Sequence, residues 1–212
     1  MININKLYKN LEEEMINNKS IYKKEYNKMK KNVANSSAYY HGEPVSFFYQ
    51  PMLFNKQHHL YFAEKISIFN SILKKITDKF VEDSNFRKKF NFPDLMEKLI
   101  LVNPGYKVEY PVARFDFFYD YNNKFKFCEL NTDGSSAMNE ARVLQNEFLK
   151  TKLLEDYIDD YEFNDYELFY SLIDIIIKNY KEFAGDMAKE YPNIGIMDFK
   201  KDGTSNEFQE FK

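Results

Sequence analysis

The sequence predicts an α+β protein, with helices packed on a small mixed or antiparallel sheet that has a β-hairpin at its centre. Three observations carry this. Apolar residues recur at three- and four-residue steps over most of the chain. Two aromatic-rich, alternating segments flank the polar pair Asn122-Asn123, and a short apolar strand follows Pro192 near the end. With 212 residues, 44% of them hydrophobic and 18% aromatic, the chain is long enough for one substantial core or for a core with an incomplete second lobe.

Ile4, Leu7, Tyr8, Leu11, Met15, Tyr22, Tyr26, Met29 and Val33 keep helical spacing with Lys and Glu between them, which predicts one amphipathic helix or two in succession. Asn35-Ser36-Ser37 ends that pattern, and Gly42-Glu43-Pro44 predicts a turn before the aromatic stretch from Val45 to Tyr49. The stripe Tyr61, Phe62, Ile66, Phe69, Leu73, Ile76 and Phe80 predicts a core helix over residues 59–81. A short helix to about Ile100 follows Phe92-Pro93, and Asn103-Pro104-Gly105 turns the chain toward strands at 112–119 and 124–131. Ser135 or Ser136 is placed to cap a helix running through Ala141, Leu144, Phe148 and Leu153. After the acidic stretch 156–165, residues 166–190 read as an amphipathic helix burying Leu168, Leu172, Ile176, Tyr180 and Phe183. The strand at 193–199 and a helix start at 205–212 cannot bury themselves, so two regions are expected: residues 1–191, and 192–212 as the start of a following α/β unit of a longer protein.

Charge and composition exclude several functions. Lys+Arg total 30 against 33 Asp+Glu, a net charge of −3, which lacks the basic footprint of nucleic-acid binding. No apolar run approaches the roughly 20 residues that span a bilayer. The segment from Met1 to Lys9 has no continuous apolar core of a secretory signal, and the single cysteine, Cys128, cannot form an internal disulfide. The expected setting is a reducing cytoplasm. Arg87, Arg114 and Arg142 are the only arginines, hence the only sites with a planar, permanently charged fork.

Arg114 lies in the informative segment. With Tyr121 and Lys124 flanking a two-residue Asn122-Asn123 turn, antiparallel pairing sets Asp116 opposite Glu129 and Arg114 opposite Asn131 on one face. The reverse face then pairs Phe115 with Leu130 and Phe117 with Cys128, an apolar set on which Cys128 is a buried, inert thiol. Directly opposed carboxylates repel, and a hard cation offsets the repulsion. Asp116, Glu129 and the Asn131 amide oxygen form an all-oxygen set that favours Mg²⁺ or Mn²⁺. Arg114 beside them suits a phosphate oxygen and charge that develops during phosphoryl transfer. Backbone N–H groups at Gly134-Ser135-Ser136 open a helix and favour a carboxylate. The competing reading is a plain surface network in which Arg114 bridges Asp116 and Glu129, a salt-bridge arrangement of small energetic consequence.

Ala113-Arg114-Phe115-Asp116-Phe117, followed by Lys126-Phe127-Cys128-Glu129-Leu130-Asn131-Thr132-Asp133, resembles the motif of glutathionylspermidine synthases and related circularly permuted ATP-grasp ligases. The resemblance covers about residues 112–147. It implies an incomplete ATP-grasp-type fold, Asp116, Glu129 and Asn131 as Mg²⁺ ligands, and Arg114 as a catalytic contact to phosphate or acyl phosphate. Ser135 and Ser136 fall where the family binds its acid substrate, although Gly134-Ser135-Ser136-Ala137 departs from the family's usual Thr or Ser and Pro. The implied activity is an ATP-dependent carboxylate–amine ligase that joins a small-molecule acid and an amine. Most of the ATP site is expected beyond Lys212, so the isolated chain is expected to be inactive. The alternatives are a non-catalytic ligand- or peptide-binding module on the same scaffold, and a Mg²⁺-dependent phosphate hydrolase using the same carboxylates.

The remaining candidates read as structural. His58-His59 suits packing at a helix start, because adjacent helical residues diverge and no zinc-ligand partner is spaced nearby. His41 reads as a solvated loop residue, and the Lys-rich run 23–31 as the solvated side of a helix.

Overall fold

The computed structural model describes residues 3–120, 124–132, 137–157 and 159–195. The fold is α+β: helices dominate, and the strands form two antiparallel two-stranded sheets. The hairpin is therefore a sheet by itself among the described residues, rather than the centre of a larger one. The described residues separate into two compact units, one drawn from 1–52, 110–177 and 190–212, the other from 53–109 and 178–189. Residues 193–195 form no strand, and the rest of the expected terminal strand and helix lies outside the described residues.

The first unit opens with α1, Ile4–Asn17, and α2, Lys19–Ala34, so the long periodic stretch is two helices broken at Asn18. Asn3 caps α1 by accepting the Lys6 N–H at 3.1 Å. The apolar face of this pair supplies much of the core: Ile4, Leu7, Leu11, Tyr22, Met29 and Val33 are buried. The lysines from 23 to 31 are solvated, as their spacing implied. The extended segment after Pro44 lies along these helices, with the hydroxyls of Tyr26 and Tyr8 donating to the carbonyls of Phe47 and Pro51, each at 3.3 Å. Glu25 accepts from the Tyr49 hydroxyl and, at 2.8 Å, from the Lys152 N–H. Burial, then this bond, pushes the Tyr49 phenol well above its ordinary value.

A small hairpin that the sequence reading missed pairs β1, Tyr39–Tyr40, with β2, Glu43–Pro44. Its two-residue turn is His41-Gly42, with φ of 50° and 83°. Positive φ at both central positions is what a tight hairpin turn requires. Past the second hairpin, α6, Met138–Phe148, is followed by α7, Lys152–Glu155. Leu153 thus belongs to a separate turn of helix, where it is buried with Leu154. The α6 N-cap is Ala137, at φ 65° and without a side-chain cap bond, and the expected caps Ser135 and Ser136 lie outside the described residues.

The buried Asn139 joins α6 to the loop after α2. Its Nδ2 donates to the Ser37 carbonyl at 2.8 Å, while the Ser37 hydroxyl donates to Asn139 Oδ1 at 3.0 Å. Asn32 adds a second link by donating to Glu147 Oε2 at 2.7 Å.

The second unit contains α3, Lys56–Glu82, α4, Ser84–Arg87, and α5, Asp94–Ile100. The α3 stripe is not a core stripe, because Phe80 is the only buried residue on that helix and Ile76 is 41% exposed. Phe80 anchors a cluster in which its ring lies 5.1 Å from Phe90 and 6.0 Å from Phe92. Arg87 closes the end of α3 by donating to the carbonyls of Phe80 and Val81 at 2.9 and 2.8 Å, and it pairs with Glu97 at 3.1 Å. His58 completes a capping box with Asn55: its Nδ1 accepts the Asn55 N–H while Asn55 Oδ1 accepts the His58 N–H. Burial lowers the His58 pKa, which favours the neutral ring that this acceptor role needs.

The unit boundary falls within α8, Phe169–Ala184. Ile176 and Phe183 are exposed rather than on a buried face, and no residue of α8 is buried. Among the described residues no helix is long and apolar enough to cross a membrane.

Candidate functional site: the carboxylate face of the second hairpin

Alternating aromatic residues make β3, Arg114–Tyr119, and β4, Phe125–Asn131, an antiparallel pair. At the open end the register is the expected one: Arg114 opposite Asn131, Phe115 opposite Leu130, Asp116 opposite Glu129. A β-bulge follows Asp116, and Phe117 pairs with Phe127 rather than with Cys128. One extra residue on β4 changes which side chains share a face. The reverse face becomes an aromatic cluster, with Phe117 stacked 4.5 Å from Phe125 and Phe115 5.6 Å from Phe127. Cys128 falls at the irregularity and is exposed, which corrects the expectation of a buried thiol. The expected two-residue turn at Asn122-Asn123 lies outside the described residues; the Asp120 N–H donates to the Lys124 carbonyl at 3.4 Å beside it.

The bulge explains how β4 serves two chemistries. Phe125 and Phe127 face the aromatic side, and an uninterrupted alternation would carry Glu129 to that same side. The extra residue resets the phase, so Leu130 joins the apolar set while Glu129 and Asn131 join Asp116 and Arg114. The signal was present in the sequence, where the apolar positions of this strand run Phe125, Phe127, Leu130, with a step of three interrupting the step of two.

On the polar face, Arg114 Nε donates to Asp116 Oδ1 at 2.9 Å, and Nη2 lies 3.4 Å from Asp116 Oδ2. With the Asn131 amide turned to satisfy both neighbours, its nitrogen donates to Glu129 Oε1 and its oxygen accepts from Arg114 Nη2, each at 3.1 Å. The four residues form one connected network. The bond to Asp116 holds the Arg114 pKa above its ordinary value, against desolvation, and the charges of Asp116 and Glu129 add to it. The Arg114 and Asp116 side chains are 36% and 39% exposed, so as an ion pair they contribute about 0–1 kcal/mol.

Chemically, the face offers two carboxylates on directly opposed residues and the amide oxygen of Asn131, which stands opposite Arg114. Such a donor set fits Mg²⁺ or Mn²⁺, which accept a few protein oxygens and keep their other positions for water or phosphate. No group of three or more His, Cys, Asp or Glu residues that could hold a metal ion occurs among the described residues. Ser135 and Ser136, the expected substrate contacts, lie outside the described residues.

Arg142 and His41 take structural positions, as Arg87 and His58 do. Arg142 reaches Asn139 Oδ1 at 3.4 Å and lies 5.5 Å over the Phe169 ring, a cation–π contact. His41 occupies the first hairpin's turn with its ring 4.2 Å from that of Tyr40. The sequence reading did not single out Asn139. No known family model matches the chain, and no curated protein or solved structure does either.

Proposed function

We propose that the Arg114, Asp116, Glu129 and Asn131 face is the metal- and phosphate-binding part of an ATP- and Mg²⁺-dependent carboxylate–amine ligase resembling glutathionylspermidine synthases, with a circularly permuted ATP-grasp fold. The observation that carries this reading is the register, which pairs Asp116 with Glu129 and Arg114 with Asn131 on one face.

Asp116 and Glu129 supply anionic oxygens and Asn131 a neutral one. When bound, Mg²⁺ supplies charge neutralisation and alignment for the transferred phosphate. Arg114 presents its fork to a phosphate oxygen and stabilises charge that develops on the phosphoryl group during transfer. In the reaction, a substrate carboxylate oxygen attacks the terminal phosphorus of ATP and ADP leaves. An amine nitrogen then attacks the acyl carbon, phosphate leaves, the nitrogen loses a proton, and an amide forms. Asp116, Glu129 and Asn131 lie on two hydrogen-bonded strands, where side-chain positions are set more firmly than on a loop. Ser135 and Ser136 are the proposed contacts to the acid substrate, and the setting is proposed to be cytoplasmic.

A second reading, a non-catalytic ligand- or peptide-binding module on the same scaffold, draws support from the polar network, which satisfies its own hydrogen bonds. ADP release by the full-length protein separates the two. With Mg²⁺, ATP and a panel of carboxylic acids and amines, release is expected to require both an acid and an amine. It is expected to fall about a hundredfold or more in Asp116→Asn. Full activity in that variant, or no release across the panel, overturns the ligase reading and favours the binding module.

A further inference from the structure

The network on the polar face directs the proposed ligand atoms at Arg114. Both carboxylate oxygens of Asp116 lie within reach of the guanidinium, at 2.9 and 3.4 Å, and the Asn131 oxygen accepts from the same group at 3.1 Å. Glu129 Oε1 accepts the Asn131 amide N–H at 3.1 Å, which ties the last ligand to the orientation that Arg114 imposes on Asn131. A guanidinium stays charged at any working pH, so this cation leaves by moving and not by losing a proton.

We propose that Arg114 is a resident counter-cation that competes with the divalent metal for Asp116 and Asn131, so that metal and phosphate load together. Charge counting gives the reason. Asp116 and Glu129 carry two negative charges and Arg114 offsets one of them. Adding a divalent ion with Arg114 still in place leaves the face with excess positive charge. A polyphosphate removes the excess and gives the displaced fork two oxygens in the geometry it already satisfies with Asp116. Arg114 then passes from carboxylate to phosphate as the metal takes the carboxylates, and a metal ion without phosphate finds the face partly blocked. This inference rests on the proposed metal-binding role of the face and adds to it an order of loading.

The test is Mn²⁺ binding by the full chain, read as loss of the free-ion paramagnetic resonance signal, with and without inorganic tripolyphosphate. The wild type is expected to bind Mn²⁺ weakly alone and about tenfold or more tightly with tripolyphosphate. Arg114→Gln is expected to bind Mn²⁺ alone about tenfold more tightly than the wild type and to lose most of the tripolyphosphate enhancement. Arg114→Lys keeps the charge but not the fork. It falls between the two and gives the same comparison should the Gln variant not fold. Mn²⁺ binding that depends on Asp116 and Glu129 but is no tighter in either Arg114 variant overturns the exchange and leaves the metal-site reading standing. Absence of binding in all three proteins, or binding that survives Asp116→Asn combined with Glu129→Gln, overturns both.

Discussion

Glu129→Lys is expected to lower Mn²⁺ or Mg²⁺ affinity by about a hundredfold or more while leaving the hairpin folded. The two effects separate because Glu129 is exposed and stands directly opposite Asp116. For the hairpin alone, a like-charge cross-strand pair becomes an opposite-charge pair, a change worth about 0.2–1 kcal/mol in favour of folding. For a divalent ion, one carboxylate ligand is replaced by a cation, adding repulsion where the metal would sit. Metal titration and urea unfolding of the same variant give both numbers. A face that serves only as a surface salt-bridge network gives the small stability change with no metal effect to lose. A variant that unfolds shows that Glu129 supports the fold in a way its exposure does not explain.

Asn139→Ala carries the largest expected cost to stability, about 1–3 kcal/mol in urea unfolding. Asn139 is fully buried, donates to the Ser37 carbonyl and accepts the Ser37 hydroxyl proton. Removing the amide takes the acceptor from the half-buried Ser37 hydroxyl and one of two donors from the Ser37 carbonyl, which keeps the Tyr39 N–H at 3.0 Å, and leaves a small void. Asn139→Asp does not restore stability, because a carboxylate cannot donate to the Ser37 carbonyl and its charge would be buried. A loss below about 0.5 kcal/mol for Asn139→Ala contradicts the view that this pair holds the start of α6 against the loop after α2.

The contrast between these residues shows what the sequence made legible. Arg114, Asp116, Glu129 and Asn131 were readable because strand alternation is a local rule that needs only a turn to set the register. The register then held at the open end, where these four residues sit. It failed nearer the turn because one residue inserted into β4 shifts every pairing beyond it, and only the uneven step from Phe127 to Leu130 recorded that insertion. Cys128 was misplaced for the same reason. The positions of α1 and α2 followed from spacing alone, and the break at Asn18 fell within the predicted stretch, whereas the helix expected through Leu153 is divided between α6 and α7.

Burial was less legible than helicity. The apolar stripe of α3 has helical spacing, but spacing defines a face without supplying what covers it, and only Phe80 is buried there. Asn139 was invisible because an asparagine near a helix start ordinarily reads as solvated. Its role comes from Ser37, a residue distant in sequence, and no local pattern encodes that meeting. The His41-Gly42 turn was the more recoverable omission, since a residue tolerant of positive φ followed by glycine is a recognised signature of a two-residue hairpin turn.

The claim on which the rest depends is that the polar face of the second hairpin binds a divalent metal. Substoichiometric Mn²⁺ added to the isotope-labelled chain with tripolyphosphate tests it most directly, by paramagnetic broadening of individual backbone amide signals. The account predicts that Arg114, Phe115, Asp116, Glu129, Leu130 and Asn131 broaden first and that excess Mg²⁺ restores them. Broadening confined to the acidic stretch 156–165, or spread evenly over surface carboxylates with the hairpin signals intact, would contradict it.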